Sequence, residues 1–197
     1  WGTLAHKAYQ AIASENDDML IFVEGVGSST VAGAETAHGD EESNPNWGEN
    51  FVGILDTPLA NIPKDRLVIS PHTYGPAVFV QPQFLEDKPG CSDSDGGIEA
   101  GEAGCKIVFD VQKLRAGWDE HFGYLRDLGY TIVIGEFGGN IDWPEKSSSA
   151  HERTAWSHMS GSKIDLQWQK IFANYMAEKD IQACYWSINP ESADTGG

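Results

Sequence analysis

Hydrophobic and polar positions fall into two alternating periods along the chain. From Leu4 to Ser14 the apolar residues Leu4, Ala8 and Ile12 recur at helical spacing, a polar break Glu15-Asn16-Asp17-Asp18 follows, and Met19 to Val23 is a continuous apolar run. That pattern predicts helix, turn and buried strand. A long Gly- and Asn-rich loop, Gly25 to Asn50, then precedes Leu67-Val68-Ile69-Ser70, a short strand running into Pro71-His72-Thr73-Tyr74. Val111 to Leu128 again has helical spacing (Leu114, Trp118, Phe122, Leu125), stops at Gly129 and leads into Tyr130-Thr131-Ile132-Val133-Ile134-Gly135-Glu136. Asp165 to Lys179 reads as an amphipathic helix (Leu166, Ile171, Tyr175) before the apolar run Ile181 to Trp186.

Continuous apolar strands alternating with helices are the pattern of a parallel sheet covered by helices, because both of its faces are buried. Four such units are half of a (β/α)8 TIM barrel, whose chemistry lies at the C-terminal ends of its strands. Here Glu24, His72 and Tyr74, Glu136, and Trp186 each follow an apolar strand. A doubly wound open sheet would also carry such residues at its switch point. The barrel is preferred because no glycine-rich phosphate fingerprint follows any strand: Gly25-Val26-Gly27 lacks the third glycine and continues as a loop.

Composition narrows the partners. With 197 residues, 40% of them hydrophobic, residues 1–197 can bury one core and are expected to form one domain or part of one. The 13 basic against 30 acidic residues, a formal net charge of −17, would repel a phosphate backbone and exclude nucleic acid as a partner. The same acidity permits a neutral polysaccharide ligand, and is equally what a soluble secreted or salt-adapted protein would carry. No apolar run approaches the ~20 residues of a membrane span. Trp1 stands first with no signal peptide before it, so a processed or truncated chain is expected. Cys91 and Cys105 bracket a Gly- and Asp-rich loop, and a bridge between them would close about 15 residues and be worth ~3 kcal/mol in an oxidising compartment. Cys184, inside an apolar run, is expected to pack as a small hydrophobe.

Cleaving a glycosidic bond with retention takes two carboxyl groups about 5–5.5 Å apart. Glu136 ends an apolar strand, and Gly135, Gly138 and Gly139 are expected to leave room for a bulky ring near the backbone. Taken alone, Glu136 could instead pair with a buried arginine. Glu24 is the other glutamate directly after an apolar strand, and residue type and position alone would pair the two as acid and nucleophile.

Five motifs in series argue against that pairing. Ile21-Phe22-Val23-Glu24-Gly25-Val26, Trp47-Gly48-Glu49-Asn50, Ser70-Pro71-His72-Thr73-Tyr74, Ile134-Gly135-Glu136-Phe137-Gly138-Gly139, and Tyr185-Trp186-Ser187 through Asn189-Pro190 to Asp194-Thr195-Gly196-Gly197 resemble family 5 glycoside hydrolases of the endoglucanase type. They would be that family's fifth strand, tryptophan loop, sixth-strand His-x-Tyr, nucleophile motif and eighth-strand signature. The resemblance implies a (β/α)8 barrel of which this chain covers about strands five to eight, the C-terminal part of a single catalytic domain. It implies Glu136 as nucleophile, His72 and Tyr74 flanking it, and Trp186 as a sugar platform, with Asn189 and Asp194 on a loop able to bond hydroxyls. Trp47 would be a second platform, and Trp1 or Trp143 a third. The family's acid/base glutamate follows an asparagine shortly before a Trp-Gly pair, present here as Trp1-Gly2, and the dipeptide Asn-Glu occurs nowhere in the chain. The acid/base and the N-terminal half of the barrel are therefore expected outside this sequence, and the fragment alone is expected to be nearly inactive.

The expected function is retaining hydrolysis of β-1,4-glucan by a secreted, extracellular enzyme that needs no cofactor. A mannanase or xylanase of the same fold is the first alternative, and a non-catalytic carbohydrate-binding partial barrel the second. One loop stands outside the resemblance. Residues 91–102 overlay the calcium-loop spacing with Asp93, Asp95, Gly96, Ile98 and Glu102, although Cys91 takes the place of the first Asp. Either it binds calcium or it is an acidic loop stapled by its cysteines.

Overall fold

The computed structural model describes residues 1–27, 45–46 and 48–189. The N-terminal periodicity folds as helix α1 (Gly2–Glu15), which is followed by strand β1 (Ile21–Val23) and, after two short 3-10 turns, by β2 (Leu67–Ile69). Helix α2 (Gly97–Glu102) lies between the two bridged cysteines. Helix α3 (Val111–Trp118) is capped by the Asp110 carboxylate, which accepts from the Gln112 and Lys113 amides. A π-helical turn, Asp119–Gly123, joins it to α4 (Tyr124–Asp127). Strand β3 (Thr131–Phe137), helix α5 (Ala150–Ala155), helix α6 (Ile164–Lys179) and strand β4 (Gln182–Tyr185) complete the order.

The four strands form one parallel sheet in the order β1-β2-β3-β4. Ile21 pairs with Leu67 and Val23 with Ile69; Val68 and Ile69 pair with Thr131 and Ile132. Val133 and Ile134 pair with Gln182 and Ala183, and the register shifts before Phe137 meets Tyr185. Parallel neighbours need a crossover: α2 to α4 lie in the one between β2 and β3 and α5 and α6 in the one between β3 and β4, while the described residues between β1 and β2 carry only the 3-10 turns.

The 3.6-residue pattern over 111–128 predicts one helix. The structure inserts the π turn within it, yet keeps Leu114, Trp118, Phe122 and Leu125 buried. Gly123 makes this possible: a Cβ there would lie 2.1 Å from the Tyr175 hydroxyl. The turn rests on an aromatic core in which Trp118 meets Phe172, Tyr175 and Trp168 at centroid distances of 4.7, 5.2 and 6.0 Å. Tyr175 donates to Asp119 Oδ1 at 2.9 Å, and burial pushes its phenol well above the usual range.

Among the described strands only β2 is buried on both faces, as the apolar run predicts. Phe22 in β1 is 57% exposed and every residue of β4 is exposed, because these are the outer strands of the sheet and no described element covers those faces. Cys184, expected to pack as a small hydrophobe, is consequently an exposed free thiol. Among the described residues no helix is long and apolar enough to cross a membrane.

Candidate active site

The C-terminal ends of β2 and β3 build the site. Beyond Ile69 the chain keeps the parallel ladder: the Gly135 amide donates to the Pro71 carbonyl at 2.9 Å, and the Thr73 amide to the Glu136 carbonyl at 3.1 Å. Alternate residues of a strand share a face. His72 and Tyr74 therefore both reach Glu136 from the neighbouring strand. The Tyr74 hydroxyl donates to Glu136 Oε2 in a short hydrogen bond. His72 Nδ1 lies 3.5 Å from the same oxygen and 3.4 Å from Glu24 Oε1. One nitrogen thus stands between two carboxylates, and Glu24 belongs to the cluster through the histidine.

Glycines let these groups converge. A Cβ at Gly135 would lie 2.5 Å from His72 Nε2 and 2.6 Å from Ser70 Oγ, and one at Gly48, whose φ is 83°, would lie 2.3 Å from Glu24 Oε1. The space that the sequence pattern suggests for a ligand ring beside 135, 138 and 139 is taken up by the protein itself. At 138 the neighbour is the Trp186 carbonyl, 2.1 Å from a built Cβ, and at 139 it is the Asp165 carboxylate at 2.4 Å.

Behind Tyr74 runs a buried polar network. Asn46 Nδ2 donates to Glu49 Oε2 at 3.2 Å, to Thr73 Oγ1 at 3.4 Å and to the Tyr74 carbonyl at 3.3 Å, while Gln81 donates to Asn46 Oδ1 at 2.9 Å. Glu49 Oε1 meets His121 Nδ1 at 2.7 Å, both side chains being buried. The π turn carries this histidine, and the amide of Phe51 anchors the turn by donating to the His121 carbonyl at 2.8 Å. The network encloses about 10 Å³, room for one water and not for a sugar. It is a support for the Tyr74 backbone.

Trp186 follows β4, its amide donating to the Phe137 carbonyl at 2.8 Å, and its indole is 49% exposed, open to a ligand. Trp1 is 58% exposed and its Nε1 donates to the Glu24 carbonyl at 2.7 Å, which ties a second indole to the site's edge. Trp143 is fully buried against Trp156 and is no platform; its apolar bulk serves the core. Asn189 is exposed beyond Trp186. Trp47 and Asp194 lie outside the described residues.

The calcium-like spacing does not close into a site. Glu102 stands in α2 and meets His151 Nε2 at 2.7 Å, while Asp93 and Asp95 are exposed. Among the described residues no group of three or more His, Cys, Asp or Glu side chains could hold a metal ion. Cys91 and Cys105 are joined by a disulfide with a Cα–Cα distance of 5.7 Å, so a staple and a short helix shape this segment.

Residues 1–192 match the family model described as cellulase, glycosyl hydrolase family 5. The chain belongs to glycosyl hydrolase family 5. Its parallel α/β sheet is accordingly part of the family 5 fold, a TIM-barrel type. This family 5 chain is 51% identical over 206 residues to endoglucanase C of Cellvibrio japonicus, matching all of this chain and 27% of that protein. It is 30% identical to an endoglucanase of Paenibacillus polymyxa, matching all of this chain and 38% of that protein. Among solved structures it resembles an endocellulase of Pyrococcus horikoshii in complex with cellotetraose, with 32% identity and a TM-score of 0.70, over all of this chain and 42% of that one. The chain thus spans less than half the length of the relatives it matches.

Two features of the site are invisible to motif reading. Asp165 reads as an ordinary first-turn helix acid, and only its contact with Gly139 and Ala77 shows that it faces the strand ends. Glu49 and His121 are separated by 72 residues, and a π turn unmarked in the apolar pattern brings them together.

Proposed function

We propose that this chain is the second half of a retaining endo-β-1,4-glucanase barrel, residues 1–197 being the C-terminal part of one catalytic domain and β1 to β4 its fifth to eighth strands. The observation that carries the reading is the Tyr74 hydroxyl donating to Glu136 Oε2 at the ends of adjacent parallel strands, with His72 against the same oxygen. Both groups act on Oε2, which leaves Oε1 as the oxygen that attacks the anomeric carbon. Attack displaces the leaving sugar and forms a glycosyl ester on Glu136; water then cleaves that ester with net retention. The proton for the leaving oxygen comes from an acid/base carboxyl in the remainder of the barrel. Glu24, held against His72, belongs to the charge environment of the nucleophile. Trp186 offers its exposed indole as a stacking surface for a glucose ring, and Asn189 with Asp194 would bond its hydroxyls. No cofactor enters this chemistry.

The uncovered faces of β1 and β4 support the partial barrel. A parallel sheet is stable with both faces buried, and four further strands would bury Phe22 and close both edges. The Cys91–Cys105 bridge supports a secreted, extracellular protein. The substrate reading rests on relatives named endoglucanases and on a solved relative holding cellotetraose.

The test is hydrolysis of soluble cellulose derivatives, mannan and xylan by the complete barrel, wild type and Glu136→Gln. The expected result is turnover of the glucan in preference to the other polymers, lowered about 10³-fold or more in the variant. Preference for mannan or xylan would change the substrate and keep the mechanism. Glucan binding without turnover in the complete wild-type barrel would make this a carbohydrate-binding protein.

A further inference from the structure

Helix α6 carries a carboxylate that the chemistry above does not use. Asp165, in its first turn, is fully buried, where a helix N-terminus ordinarily leaves an acid in water. Its Oδ1 accepts from the Ala77 amide at 2.9 Å, three residues beyond Tyr74. Its Oδ2 accepts from Gln169 Nε2 at 2.7 Å, and the same Nε2 donates to the Gly139 carbonyl at 2.9 Å, three residues beyond Glu136. Asp165 and Gln169 are one helical turn apart and stand on one face of α6. A single turn of helix therefore grips both loops that leave the Tyr74–Glu136 pair. Two glycines make the space: a Cβ at Gly75 would lie 2.7 Å from Oδ1, and one at Gly139 would lie 2.4 Å from Oδ2.

We infer that Asp165 and Gln169 are positioning residues, which fix the reach between the Tyr74 hydroxyl and the Glu136 carboxylate by tying the loops after both residues to α6. The inference rests on the hydrolase reading of that pair. The ionised carboxylate suits the task because it accepts at both oxygens and keeps the Gln169 amide turned N-first toward Gly139. A proton on Oδ2 would face the Gln169 NH2. The amide would then turn its oxygen to Asp165 and repel the Gly139 carbonyl. An asparagine at 165 presents the same conflict.

Burial, opposed by the Ala77 and Gln169 hydrogen bonds, raises the carboxyl of Asp165 to about 6. Among the described residues the groups facing it are uncharged: the Ala77 amide from the 75–77 turn, backbone from the 138–139 turn, and Gln169 from α6. The nearest titratable groups along those elements are Tyr74, Glu136 and Lys163, the last paired outward with Asp142. The grip on Gly139 therefore loosens as pH falls through about 6.

The test compares Asp165→Asn and Gln169→Met with wild type in the complete barrel, measuring kcat and KM on a soluble glucan from pH 5 to pH 8, with the urea midpoint of each protein alongside. The expected result is a kcat lowered about 10- to 100-fold in both variants, as for a reacting pair displaced by a fraction of an ångström, with KM within about twofold. Asp165→Asn should also lose the wild-type step near pH 6. Variants that keep wild-type kcat and pH profile, whatever their urea midpoints, would make both residues structural and overturn the inference. Gln169→Met keeps the Ala77 bond and carries the test if Asp165→Asn does not fold. A complete wild-type barrel without turnover would sink the hydrolase reading first, and this inference with it.

Discussion

Glu136 Oε2 takes the Tyr74 hydroxyl and faces His72, so replacing Tyr74 with phenylalanine removes the hydroxyl donor from that oxygen. We predict that Tyr74→Phe lowers kcat by roughly 10- to 100-fold in the complete barrel with a thermal midpoint within a few degrees of wild type; unchanged kcat would assign the ring to packing. Gly135→Ala should destabilise by about 1–3 kcal/mol in urea unfolding, since its Cβ meets the His72 ring and Ser70 Oγ. Asp165 makes a prediction of a different kind. Its carboxyl is raised from 3.8 to about 6 in the folded state, so the folded protein binds that proton more tightly than the unfolded chain. The associated stability is full below pH ~4 and is lost as pH rises through about 6. Relative to Asp165→Asn, wild type should therefore lose on the order of 3 kcal/mol between pH 4 and pH 7; a difference that stays flat across this range would contradict the burial of its charge. Strand-end residue type makes Glu136, His72 and Tyr74 legible in the sequence. Asp165 is illegible because what it holds, the Ala77 amide directly and the Gly139 carbonyl through Gln169, is backbone of distant loops, which leaves no mark on residue identity.

At the scale of elements, the strands are readable because a parallel strand is a short continuous apolar run. The ends of β1, β2 and β3 fall within two residues of the pattern. What misleads is the step from apolar run to burial. β4 is apolar in sequence and exposed throughout, since burial depends on neighbours that the strand itself does not encode. The π turn at 119–123 escapes periodicity for another reason: the buried positions keep helical spacing while the extra residue is absorbed between them, bringing His121 to Glu49. Trp143, expected as a possible third platform, instead packs its ring against Trp156 in the core, because burial of an indole depends on neighbours its own segment does not encode. The segment between Cys91 and Cys105 carries little packing of its own beyond α2. Replacing both cysteines by serine should cost about 3 kcal/mol in urea unfolding, and an unchanged midpoint would show that the segment is already restrained without the bridge.

At the scale of the whole molecule, the four described parallel strands, the outer two of them uncovered, form a sheet that carries the Tyr74–Glu136–His72 cluster at one end. Its parallel character was implicit in the alternation of apolar strands with helices and its family in the series of motifs, whereas the register, with its shift before Phe137, leaves no trace in that alternation. On the proposed partial barrel, this chain by itself should show little or no glucan hydrolysis, and supplying the other strands should raise it by at least about 10²-fold, the scale of general-acid catalysis. The most direct measurement is the intact and peptide mass of the complete barrel after incubation with a 2-deoxy-2-fluoro cellobioside bearing a dinitrophenyl leaving group. Such a sugar forms the glycosyl ester without needing the acid and then stalls. One fluorosugar on Glu136, absent in Glu136→Gln, is the predicted result; a sugar on Glu24 instead, or none on an enzyme that still cleaves glucan, would contradict it.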